Sequence, residues 1–167
     1  YHCIIHEENL AAQTLKMDHV MSLVVSTVNF IRSRALNHRQ FQEMLREINS
    51  EFTDVTYCKV RWLSSAKTLQ RFLNLPTEID SFMRCKGKEH EELSDQQWII
   101  DLAFLGDITE HMSALNLLLQ GKDQHMGILW QRVSAFRSKL QLLKTQLSEG
   151  SSPHLKTLEG RVNAGIH

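Results

Sequence analysis

The 167-residue sequence is poor in residues that interrupt or cross-link a chain: 7 Gly, 2 Pro and 3 Cys. With 42% of residues hydrophobic, so few breakers exclude a Pro/Gly-rich disordered segment and fit a folded domain. No run approaches the roughly 20 apolar residues that a membrane span needs, so no membrane partner is expected. The opening Tyr1-His-Cys-Ile-Ile-His6 lacks both a basic n-region and small residues at a cleavage site, and does not read as a signal peptide. Without an initiating Met the chain reads as a piece of something longer. Cys3, Cys58 and Cys85 are odd in number and far apart, which favours a reducing, intracellular compartment over a disulfide framework. A Gly-rich phosphate loop, G-x-S-x-G and H-E-x-x-H are all missing. No catalytic residue and no cofactor is therefore assigned, and the chain is not expected to be an enzyme.

A net charge of zero hides an uneven distribution. Residues 32–88 hold 11 Lys/Arg against 6 Asp/Glu, residues 89–121 hold 7 acids and no Lys or Arg, and residues 122–148 hold 5 bases and 1 acid. Such blocks either pair inside the fold or leave the first basic one to face an anionic partner.

Hydrophobic spacing sets the organisation. Leu10, Val20, Val24, Val28 and Ile31 predict one long amphipathic helix over residues 9–34. Asn37 is a candidate N-cap for a shorter helix carrying Phe41, Leu45 and Ile48. From Glu51 to Val60 the pattern loosens into a connector with room for one short strand. A third helix is expected after Ser64, with Leu69, Phe72, Ile79 and Phe82 inward and Pro76 dividing or kinking it near Leu75. Ser94 and Gln97 form a capping-box pattern for a helix running to Gln120, with Trp98, Leu102, Leu105, Ile108, Met112, Leu115 and Leu119 as its stripe and Gly121 closing it. Met126, Leu129, Val133, Phe136, Leu140, Leu143 and Leu147 then alternate three and four apart, a heptad-like seam that folds back as an antiparallel hairpin. The expected class is mainly all-α: a first sub-bundle over 1–84, a charged linker over 85–93, the hairpin over 94–148 and a weakly structured tail over 149–167.

Two local patterns bear on chemistry. Cys3-x-x-His6 has zinc-ligand types but no second pair at metal spacing, so no metal site is assigned. Asp95, Asp101, Asp107 and Glu110 lie mostly off the apolar stripe and read as a solvated or hairpin-pairing face rather than a metal site. In Val60-Arg61-Trp62-Leu63-Ser64 the Trp is either a core anchor or a stacking platform beside a phosphate-binding Arg.

Taken together, Cys3-Ile-Ile-His6, Asn29-Phe-Ile-Arg-Ser-Arg34, Leu36-Asn-His-Arg-Gln-Phe41, Val60-Arg-Trp-Leu-Ser64, Arg71-Phe72, residues 98–108 and residues 115–122 resemble hAT-superfamily transposases. The likeness is to their domesticated vertebrate branch, the group of transcription factor II-I repeat and zinc-finger BED proteins, and it covers nearly the whole chain. The resemblance implies a helical insertion within an RNase H-like fold. Cys3 and His6 match the Cys-x-x-His that follows the family's second catalytic Asp. Arg61 and Trp62 match its Arg-Trp pair, whose Trp is associated with DNA handling. The Asp, Asp and Glu that bind two metal ions would lie before Tyr1 and after His167, so none transfers. Pro76 departs from the pattern, as do the absent BED finger and dimerisation region and the final Gly160-Arg-Val-Asn-Ala-Gly-Ile-His167.

Two functions follow as expectations. One is a catalytically incomplete piece of a nuclear, transposase-like protein that associates with DNA through Arg61, Trp62 and Lys67. The alternative is a helical module that binds itself or another protein through Leu129, Phe136 and Leu143 of the hairpin.

Overall fold

The Val-rich run from Val20 to Val28 is helical, because its apolar residues recur every three or four positions rather than every two. In the computed structural model, which describes residues 14–55, 62–120 and 125–164 (side chains excepted at 62–64), α1 spans Asp18–Ser33. Val20, Val24, Val28 and Ile31 are wholly buried along it. The expected helix over residues 9–34 is interrupted, since Lys16 takes a left-handed φ of 52° just before α1 begins. Helix α2, Ala35–Glu47, follows after the single extended residue Arg34. Asn37 lies inside α2 and is not its cap. Its Nδ2 donates to the carbonyl of Phe30 at 3.1 Å, satisfying an acceptor near the end of α1 and fixing the corner between the two helices.

Residues 51–55 are irregular and carry no strand. Val55 plugs into the core, and Asp54 ties the segment down by accepting from Arg32 at 2.8 Å and pairing with His38 at 2.7 Å. Helix α3 runs Trp62–Asn74 and α4 runs Pro76–Cys85. Pro76 divides them as expected. It occupies the first turn of α4, where its missing N–H has no helical acceptor to lose. Leu69, Phe72, Ile79 and Phe82 all point inward.

Helix α5, Gln96–Leu119, is the central element, and α3 and α7 pack on it. Its cap is Asp95, one residue beyond the expected Ser94: Asp95 Oδ1 accepts from the backbone N–H of Gln97 at 3.0 Å. Ser94 instead closes a short 3-10 turn, Glu91–Ser94, and receives Arg84 at 3.4 Å. In the N-terminal two-thirds of α5, burial extends past the predicted stripe to Ala103, Gly106, Asp107 and Thr109. Gly106 permits this: a Cβ there would stand 2.9 Å from Leu73 Cδ1, so α3 crosses α5 on its hydrogen.

Helix α6, Met126–Ser148, returns beside α5, with Gly121 outside the described residues. Residues 149–167, expected to be a loose tail, contain helix α7, Lys156–Ala164, with Leu155 and Leu158 in the core. Asn49, Gly87 and Gly150 sit just past α2, α4 and α6 in the left-handed region, and the next N–H reaches back to the carbonyl of Leu45, Met83 or Gln146 to close each helix. One core joins residues from every α-helix, running across positions 85–93 through Leu93. The described residues are thus all-α, without a strand.

Candidate functional site

Two surfaces lie around the residues singled out from the sequence. The first is on α3. Ser65, Ala66, Thr68, Leu69, Phe72 and Leu73 face inward, which turns Lys67 and Asn74 to solvent. Lys67, Gln70, Arg71 and Asn74 line a shallow groove of about 370 Å³ together with Phe52 and Glu110. The Arg71 guanidinium lies 4.2 Å from the Phe52 ring centroid, a cation–π contact that holds the connector against α3. The groove can donate to an anion through Lys67 and Gln70, but the Glu110 carboxylate weakens its positive potential. Trp62 is the first residue of α3, while Arg61, Cys3 and His6 lie outside the described residues.

Much of the basic segment is engaged within the fold. Arg32 pairs with Asp54 and Arg46 with Glu43 at 2.8 Å. Arg84 pairs with Asp80 at 2.8 Å, and that hydrogen bond and charge hold its guanidinium still more firmly protonated. Lys86 donates to Gln40 and lies over Phe82, and Lys88 lies over Phe30. Arg34, Arg39 and Lys67 remain exposed. Of the four acids expected on a solvated or hairpin-pairing face, Asp95 and Glu110 are exposed, while the other two bind within the fold. Asp101 contacts His19 at 3.2 Å, and Asp107 is buried, accepting the backbone N–H groups of Thr157 and Leu158 at 2.9 and 3.0 Å. Periodicity could not have revealed that role, because the partner lies 50 residues away at the start of α7.

The second surface is the α5–α6 arm. Its inner contacts are specific: Arg132 donates to the carbonyl of Leu118, and Lys139 Nζ lies 3.1 Å from His111 Nδ1. Nε2 of His111 meets the carbonyl of His154 at 3.0 Å, so this imidazole joins α5, α6 and the turn before α7. Leu143 is 3% exposed and belongs to the core, and Leu129 and Phe136 are half-buried on the same heptad row. The expected interface residues thus face into the arm. The other half of the seam does not. Met126, Val133, Leu140 and Leu147, also seven apart, form a solvent-facing row beside it, and Trp130 stands 72% exposed next to its first members. At about 100° per residue the two rows are displaced by roughly 60° around the helix, enough for one to seat on α5 and the other to miss it. The 3–4 alternation merged them into one seam. Leu117 and Leu118 at the end of α5 are exposed as well.

Among the described residues no three His, Cys, Asp or Glu side chains converge as a metal-holding group, and no helix is long and apolar enough to cross a membrane. Known proteins agree with the helical architecture. The chain is 46% identical over 158 residues to General transcription factor II-I repeat domain-containing protein 2 of Bos taurus, and 43% identical over 158 residues to the protein of that name from Mus musculus. In both cases the match covers 94% of this chain and 17% of the relative, so the chain spans about a sixth of their length. No solved structure matches it significantly. Residues 2–148 match the FAM200/GTF2IRD2 helical domain, and the chain belongs to that family.

Proposed function

We propose that this chain is a docking domain, without an active site of its own, in a transposase-derived nuclear protein, and that it engages another protein through the α5–α6 arm. One observation carries the reading. Helix α6 has 23 residues and a single buried side chain, Leu143, yet Met126, Trp130, Val133, Leu140 and Leu147 stand exposed along one side of it. Contiguous exposed apolar surface of this kind marks interaction sites. The names of the relatives place them among proteins with transcription factor repeats, which supports a regulatory, nuclear setting. The transposase origin rests on the resemblance of the sequence motifs.

A second reading, association with DNA through α3, is favoured by exposed Lys67 at the edge of its groove. Gel-shift titration with a DNA duplex at about 50 and 200 mM salt separates the two. Under the DNA reading, Lys67→Ala lowers the slope of log affinity against log salt by about 1, and Trp62→Ala weakens binding to unpaired ends by about 1–3 kcal/mol. Under the docking reading, affinity for the duplex is negligible and Lys67→Ala changes nothing measurable. We expect the second outcome for this chain alone, and a salt slope sensitive to Lys67 would overturn it.

A further inference from the structure

We infer that the solvent-facing flank of α6 takes an acidic amphipathic helix of another protein, laid along α6 as a third helix of the arm. The inference rests on the docking reading and names the chemistry of the partner.

Length comes first. Met126, Val133, Leu140 and Leu147 span 22 residues of one continuous helix, a row about 31 Å long. A straight row with a seven-residue repeat is complementary to another helix with the same repeat, whose side chains enter the gaps between these four. Trp130 sits four residues after Met126 and three before Val133, at the outer edge of the row, where it provides a broad anchor.

Charge decides the kind of helix. From Met126 to Ser148 there are four bases, Arg132, Arg137, Lys139 and Lys144, and no acid. Arg132 and Lys139 turn towards α5, one donating to the Leu118 carbonyl and the other meeting His111. Arg137 and Lys144 are exposed. They are seven residues apart and follow Val133 and Leu140 by four, which places them along the outer border of the apolar row. Flanking positions of this kind select partners by charge, so a helix with Glu or Asp beside its apolar seam fits and one with Lys or Arg does not. A second copy of this chain is disfavoured for the same reason, because α6 against α6 brings Arg137 and Lys144 up to their own counterparts. Duplex DNA would meet the two bases but leave the apolar row uncovered.

The test uses the full chain and three labelled synthetic heptad peptides of roughly 28 residues, with the same Leu/Ile seam and Glu, Lys or Gln in the flanking positions. Binding is read by fluorescence anisotropy, and the mass of the chain alone by sedimentation. The Glu peptide is expected to bind about tenfold or more tightly than the Lys peptide. Leu140→Asp should weaken that binding by a similar factor without lowering the melting temperature, and Arg137→Glu with Lys144→Glu should reverse the preference. Equal binding of all three peptides, abolished by Leu140→Asp, overturns the acidic partner while leaving the docking reading intact. No binding by any peptide, with a lower melting temperature for Leu140→Asp, overturns both. A dimer of the chain dissolved by Leu140→Asp makes the occupant a second copy and contradicts the inference. So does displacement of the Glu peptide by duplex DNA. Exclusion of the peptide from a longer version of the chain that includes its flanking coding sequence would put the occupant in the same polypeptide, again against the inference.

Discussion

Replacing Phe72 with Ala is expected to destabilise the domain by about 3–5 kcal/mol, because the side chain is buried and the helices around it cannot close over the lost volume. Phe72 lies on the face of α3 turned to α5. Its ring meets that of Trp98 edge-on, with centroids 6.2 Å apart and planes inclined at 62°. On the same face the neighbouring Leu73 already lies against α5 as closely as Gly106 allows, so the cavity left by truncation stays lined rather than filled. For a chain of this size such a loss lowers the thermal midpoint by roughly 10 °C, measured by far-ultraviolet circular dichroism. A fall of only a degree or two would mean that α3 and α5 are not packed through this residue.

Asp107→Ala is expected to cost about 1–3 kcal/mol, chiefly by releasing α7. The residue before α7 is Leu155, which has no side-chain acceptor, so the first turn depends on a cap from elsewhere. Asp107 Oδ2 supplies it, accepting from Thr157 and Leu158 while almost wholly buried. The negative charge also faces the positive end of the α7 dipole. Asp107→Asn keeps an acceptor but not the charge, and should lose less than the Ala variant. Amide exchange at Thr157 and Leu158 is the direct readout. Fast exchange in Asp107→Ala with the rest of the core still protected is the expected pattern, and unchanged protection would remove the cap from the account.

Where local chemistry and tertiary packing agree, the sequence was legible. Val20, Val24, Val28 and Ile31 mark a helix face and are wholly buried, and Pro76 divides α3 from α4. Where they diverge, a polar side chain finds its partner on another element. The spacing offers Asn37 as a helix cap, whereas it lies inside α2 and donates to the carbonyl of Phe30. The position of Asp107 off the apolar stripe suggests a solvated or hairpin-pairing face, whereas it caps a helix 50 residues on. Residues 149–167 look loose in sequence because the helix there is short and depends on that distant cap. Hydrophobic spacing reports that a face is apolar, and what covers the face is a property of the fold. For that reason the spacing alone does not separate Leu129, Phe136 and Leu143, which face into the arm, from the row seven-spaced from Met126, which is exposed. Of the DNA-binding candidates, Lys67 is placed on an exposed face of α3 and Arg61 lies outside the described residues.

The central claim is that an apolar row of α6 stands outside the core. Denaturant unfolding of the double variant Val133→Asp, Leu140→Asp tests it most directly. Two carboxylates placed on a solvated helix face should change stability by no more than about 1 kcal/mol and leave the helical signal intact. A loss of several kcal/mol, comparable to that of Phe72→Ala, would show that the row is packed within the domain and would contradict the claim.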